Sequence, residues 1–142
     1  MILIVDDQTM TATLAQVMLA RYGIGSTLKH SGVEALYWLE RHKVRVVLCD
    51  ISMPGMDGTE LAREIRARWG KDRPRLVAYS AYPPPDGEEG LREAGFDDYL
   101  KKPAGAETLA TAVKRWLYTE GYATSGEQSF GGYAQHPIYE WI

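Results

Sequence analysis

The sequence predicts an α/β domain: a parallel β-sheet covered by helices on both faces. Three observations carry that prediction. Short apolar runs rich in β-branched residues alternate with longer segments whose apolar residues recur at helical spacing. The connections are short and punctuated by Gly, Pro and capping residues. The strand–helix unit repeats five times over residues 1–118, and a regular repeat of that kind returns each strand parallel to the last.

Ile2–Val5 is a continuous apolar run, as a strand buried on both faces should be. Residues 9–22 place Leu14, Val17, Met18 and Tyr22 at helical spacing, which makes them the expected inward face, and Gly23 is a stop signal. Residues 26–29 form a weak strand. Ser31 and Glu34 then stand as N-cap and N3 of a capping box, opening a helix that buries Leu36, Leu39 and Trp38. Residues 44–49 are the second strong strand and run into Asp50. Pro54-Gly55 is a turn, and Asp57 is a turn or cap residue before a helix over 58–69 with Leu61, Ile65 and Trp69 inward. Residues 76–79 form a strand ending at Ser80. Residues 83–85 are all proline, which forbids helix there beyond a first turn. Asp86 and Glu89 are a second N-cap and N3 pair, so a short helix reaches Ala94, weakened by Gly87 and Gly90. A strand over 98–100 and a helix over about 105–118, with Leu109, Val113, Trp116 and Leu117 inward, complete the pattern.

Composition narrows the function classes. The chain has 142 residues, 45% hydrophobic and 25% charged, which suits one folded domain and not a disordered chain. The single Cys, Cys49, excludes an intramolecular disulfide framework and a Cys-rich zinc site, and it fits a reducing compartment. Cys49 itself reads as a small buried hydrophobe. A net charge of −3 argues against nucleic-acid binding led by bulk electrostatics. No apolar run reaches the ~18 residues of a membrane span. The start, MILIVDDQ, lacks a basic region before its apolar run and does not read as a signal peptide. The charge is unevenly placed: residues 1–118 are neutral, and the whole surplus comes from Glu120, Glu127 and Glu140 in residues 119–142.

In an open parallel sheet, ligands bind at the carboxyl ends of the strands. The residues just past the strands are Asp6, Asp7, Asp50, Ser80 and Lys102, so these should converge. Carboxylates held together repel one another and need a cation, and an all-oxygen site suits Mg²⁺. Scattered His30, His42 and His136 offer no zinc spacing and are expected to face solvent. A hard cation, an ammonium and a hydroxyl are what a phosphoryl group requires. A carboxylate can itself be the nucleophile, giving an aspartyl phosphate, and Asp50 is the best candidate because it ends a central strand.

These residues also carry a resemblance. Asp6-Asp7, Asp50 followed by MPGMDG, Ser80-Ala81 and Lys102-Pro103 resemble the receiver domain of two-component response regulators over residues 2–118. The spacings of 43, 30 and 22 residues from Asp7 through Asp50 and Ser80 to Lys102 are similar too. The resemblance implies a three-layer, flavodoxin-like fold with strand order 2-1-3-4-5. It implies that Asp50 accepts phosphate from a phosphohistidine, and that Asp6, Asp7, Asp50 and the Ser52 backbone carbonyl hold Mg²⁺. Ser80 corresponds to the switch hydroxyl, Lys102 to the residue that pairs with the phosphoryl group, and Tyr99 to the aromatic that turns inward on activation. Ser52 and Tyr82 stand where the family tunes dephosphorylation, and a ring at Tyr82 is expected to hinder attacking water.

The implied role is a cytoplasmic phosphorelay switch, not an enzyme beyond its own phosphorylation and dephosphorylation. Its partners would be a sensor histidine kinase or phosphotransfer protein and an undetermined output target, without direct nucleic-acid or membrane contact. The proline run departs from the family's fourth helix and leaves any homodimer mode undetermined. Three alternatives stay open: a receiver excised from a hybrid histidine kinase, a phosphate-independent pseudo-receiver, and a Mg²⁺-dependent phosphatase with an aspartyl nucleophile. The phosphatase wants a second acid two residues after the nucleophile, where this chain has Ser52. Residues 119–142 carry four Gly and five aromatics. They are read as an appended segment in which Ile138, Tyr139 and Trp141 pack on a groove of this chain or a neighbour, with a plain linker as the alternative.

Overall fold

The computed structural model describes residues 1–118, so the expectations for residues 119–142 and for His136 lie outside the described residues. The element order is β1 (Ile2–Val5), α1 (Thr9–Ala20), β2 (Ser26–Lys29), α2 (Gly32–Leu39), β3 (Val46–Cys49), α3 (Gly58–Trp69), β4 (Arg75–Ser80), α4 (Gly87–Ala94), β5 (Asp98–Lys101) and α5 (Ala106–Leu117). A single 3₁₀ turn, Gly70–Asp72, follows α3. The five strands form one sheet in the order β2-β1-β3-β4-β5, and every pairing is parallel.

The two faces of the sheet follow from strand alternation. Leu3, Val5, Val47, Cys49, Leu76 and Ala78 pack with Leu36, Leu61, Ile65 and Leu91 of α2, α3 and α4. Ile2, Ile4, Val46, Leu48, Val77 and Tyr79 pack with Leu19, Leu109, Val113 and Trp116 of α1 and α5. Burying each Val, Leu or Ile side chain among them stabilises the fold by roughly 1.5–3 kcal/mol. The central strands carry apolar residues on both faces because both are covered.

Most local expectations hold. Asp57 caps α3 with a full capping box: its Oδ1 accepts from Glu60 N at 2.9 Å, and Glu60 Oε1 accepts from Asp57 N at 2.9 Å. Gly23 adopts a φ of +79°, which an L side chain resists, and ends the turn after α1.

Four details differ. On α1 the buried residues are Ala12, Ala15 and Leu19, whereas Leu14 and Val17 are 56% and 52% exposed. Small alanines let the helix lie close to the sheet, so the inward stripe is rotated from the one that bulk hydrophobicity marks. At α2, Ser31 Oγ accepts from Glu34 N, but Glu34 Oε1 accepts from His30 N and not from the N-cap amide. Asp86 stands at the N-cap of α4 without a side-chain cap bond. Strand β3 begins at Val46 and β4 at Arg75.

The early start of β4 belongs to a buried polar cluster at the sheet end opposite the predicted site. Arg73 clamps Asp97 through two bonds of 2.9 and 3.0 Å, and Asp97 Oδ2 also accepts from Leu76 N. Next to it, the buried Asp98 accepts from Trp116 Nε1 at 2.9 Å and from Tyr99 N at 2.8 Å, tying β5 to α5. Burial pushes the Asp98 carboxyl up to about 6, against the lowering pull of those bonds.

Candidate functional site

Strands β1, β3, β4 and β5 are contiguous in the sheet, and all point their carboxyl ends the same way. Asp6 and Asp7 follow β1, Asp50 follows β3, Ser80 ends β4 and Lys102 follows β5. The structure brings these together. Carboxylate oxygens of Asp6, Asp7 and Asp50 lie within 4.8 Å of one another. Lys102 Nζ donates to Asp6 Oδ2 at 2.7 Å and to Asp50 Oδ2 at 3.2 Å. Asp6 and Asp50 are buried, and Asp7 is half-buried.

Each acid is held by local backbone. Asp6 Oδ1 accepts from Gln8 N at 2.9 Å, and its Oδ2 also accepts from Thr11 Oγ1 at 3.0 Å. Asp50 Oδ1 accepts from the Ser52 amide at 3.2 Å. Gly58 fixes the loop that follows. Its N–H donates to Ile51 O at 2.7 Å, and a Cβ there would collide with the Asp50 carbonyl oxygen and sit 2.7 Å from Ile51 Cα. Only glycine permits that approach.

The charges do not balance. Three carboxylates face one ammonium, which leaves an excess of negative charge in a partly dehydrated pocket. Burial raises the Asp50 carboxyl, opposed chiefly by the Lys102 ammonium. Burial lowers the Lys102 ammonium, but its bond to Asp6 and the charges of Asp50 and Asp6 outweigh it, so the net shift is upward. An all-oxygen donor set with surplus negative charge fits a hard divalent cation.

Ser80 is 1% exposed, and among the described residues its buried Oγ has no hydrogen-bond partner. A buried hydroxyl left unsatisfied costs about 1–3 kcal/mol, so the site is built to satisfy it with something else. Tyr99 is 3% exposed and sits among the core residues on the α2–α4 side. Its hydroxyl donates to the Tyr82 carbonyl at 3.3 Å. Tyr82 is 69% exposed, so the aromatic predicted to screen the site stands open to solvent here. Ser52 is exposed. Cys49 is buried, as expected of a small hydrophobe, and burial and Asp50 push its thiol far up. His30 and His42 are exposed, as expected.

Four supporting residues escaped the sequence reading. Thr11 and the Gln8 amide orient Asp6. Tyr79 accepts from Ala104 N at 3.2 Å and lies under Lys102, with Nζ 5.3 Å from the ring centre. Gly58 was legible only as part of MPGMDG, since what it approaches is backbone from the preceding strand end.

Comparison with known proteins agrees with this geometry. The response regulator receiver domain family matches residues 2–114. The chain is 33% identical to the sensor protein GacS of Pseudomonas syringae pv. syringae over 81% of its own length but only 13% of that protein's. It is 34% identical to the response regulator MprA of Mycobacterium avium over 82% of its length and 50% of that protein's. The chain therefore spans half or less of these curated relatives. The receiver domain of NtrX from Brucella abortus superposes with a TM-score of 0.76 at 26% identity, covering 84% of this chain and 99% of that one. Among the described residues no helix is long and apolar enough to cross a membrane. Fold and relatives agree: the chain belongs to the response regulator receiver domain family.

Proposed function

We propose that Asp50 is the phosphoacceptor. The observation that carries this reading is the convergence of three carboxylates with Lys102 beside a buried, partnerless Ser80 hydroxyl. An Asp50 carboxylate oxygen attacks the phosphorus of a phosphohistidine on a sensor histidine kinase or phosphotransfer protein. An O–P bond forms, the N–P bond breaks, and the imidazole leaves and takes up a proton.

Asp6, Asp7, Asp50 and the Ser52 carbonyl would hold Mg²⁺, which when bound supplies positive charge to the phosphoryl oxygens. Lys102 is already within bonding distance of Asp50 and supplies a second positive charge to the new group. The Ser80 hydroxyl gains its missing partner by bonding a phosphoryl oxygen. That shift loosens the connection between β4 and α4, where Tyr99 holds the Tyr82 carbonyl, and the surface of α4, β5 and α5 changes with it. Tyr82 tunes the lifetime of the phosphate. The protein is not an enzyme beyond this self-directed chemistry, acts in the cytoplasm and passes its state to an output target.

The likeness to GacS favours a second reading of the same chemistry, in which this receiver is a module of a hybrid kinase. A phosphomonoesterase is disfavoured because Ser52 holds the position where a second acid would protonate the leaving group.

The test is incubation with Mg²⁺ and acetyl phosphate, followed by intact mass measurement. One base-labile phosphate is expected, absent from Asp50→Asn. No label, or a label that survives the substitution, overturns the proposal.

A further inference from the structure

A cleft of about 410 Å³ opens at the sheet end opposite Asp50, between the carboxyl ends of α2 and α3. Its apolar lining is Leu39, Val44, Trp69 and Pro74, and Arg41 and Lys43 stand at its edge. That volume is within the ~300–1,000 Å³ range of sites that hold bulky groups. Two of its wall residues are acids, but Glu40 is already engaged by Arg68 at 2.6 Å, which leaves Asp72.

Two further observations say what fills it. The described chain ends beside it: Arg45, next to the lining residue Val44, donates through Nη1 to Leu117 O at 2.9 Å. Residues 119–142 therefore start within a few residues' reach of the cleft, at ~3.3 Å per extended residue. Three cations stand at or beside the cleft edge, Arg41, Lys43 and Arg45, against the one acid Asp72 that Arg68 does not engage. Among the described residues, none of Arg41, Lys43 and Arg45 lies within ion-pair distance of an acid; Arg41 instead lies 3.9 Å over the Tyr37 ring. The segment that leaves here has five aromatics, three Glu and no Lys or Arg.

From this we infer that the cleft is the docking site of the chain's own segment 119–142. An aromatic side chain enters between Val44, Trp69 and Pro74, and segment glutamates meet Arg41, Lys43 and Arg45. The aromatic gains burial, and the charges gain partners in a half-enclosed setting where they are screened less than at an open surface. The site lies across the sheet from Asp50, so the acidic pocket stays open to a phosphodonor. The docking does not require Asp50 to be phosphorylated.

The test uses the full chain with a nitroxide at Ser129→Cys or Ala134→Cys. Cys49 is buried and its thiol is pushed up, so the introduced thiol takes the label. Amide resonances of residues 39–44 and 69–72 should broaden. Arg41→Gln with Lys43→Gln should reduce that broadening severalfold while the signals around Asp50 stay in place. In a mixture of isotope-labelled chain without nitroxide and unlabelled chain with it, the broadening should vanish. Broadening in the mixture makes a second copy the occupant and overturns the inference. Broadening at another face, or none at all, overturns it too.

Discussion

Replacing Gly58 with Ala places a methyl group against the backbone that carries Asp50. The new Cβ would overlap the Asp50 carbonyl oxygen and lie 2.7 Å from Ile51 Cα, about 0.7 Å inside the 3.4 Å where ordinary contact begins. Both obstacles are main chain, so no rotamer change relieves them. Either α3 moves away from β3, or the loop after Asp50 yields. Overpacking of this kind costs about 1–3 kcal/mol, and displacing a reacting atom by nearly 1 Å can slow its reaction on the order of 100-fold. Phosphorylation by acetyl phosphate at saturating Mg²⁺, followed by mass, should therefore slow by roughly 10- to 100-fold. Circular dichroism should show the variant still folded. Gly25→Ala is the control, because nothing lies within 4 Å of its new Cβ. A folded Gly58→Ala protein that labels at the unsubstituted rate would refute the claim that this glycine sets the position of Asp50.

Other expectations follow from single contacts. Lys102→Ala removes an ammonium that competes for Asp6 and Asp50, so calorimetry should find Mg²⁺ bound several-fold more tightly while labelling slows; weaker Mg²⁺ binding would contradict that role. Tyr82→Ala should speed loss of the phosphate after the donor is removed, and an unchanged decay would remove Tyr82 from the tuning positions. Asp98 is raised by burial to about 6, above the ordinary carboxylate value of 3.8, so the fold prefers its neutral form. That contribution is complete below pH 3.8 and is lost as pH rises through about 6. Asp98→Asn should thus gain stability relative to the parent between pH 4 and pH 7, on the order of 2–3 kcal/mol by urea unfolding. A pH-independent difference would refute it, since the acceptor the amide loses contributes only a constant offset.

The sheet and the site were legible for the same reason. Parallel strands buried on both faces are written as unbroken apolar runs, and their last residues fix where a site must be. Asp6, Asp7, Asp50, Ser80 and Lys102 could be placed together from that rule before any coordinates. The face of α1 was not legible, because hydrophobic periodicity weighs Leu14 and Val17 above Ala12 and Ala15, while close packing prefers the alanines. The Arg73–Asp97 clamp and the buried Asp98 were invisible because charged residues are expected at the surface, and their partners are distant in sequence. The Tyr99–Tyr82 bond joins a strand to a loop 17 residues away, and no periodicity reports such a pairing.

The proposed switch rests on phosphate residing on the Asp50 carboxylate. Borohydride reduction of the Mg²⁺- and acetyl phosphate-treated protein converts an acyl phosphate to an alcohol, which peptide mass mapping can locate. Homoserine is expected at position 50 and unmodified aspartate at positions 6 and 7. Reduction at Asp6 or Asp7, or a phosphate that resists borohydride, would contradict it.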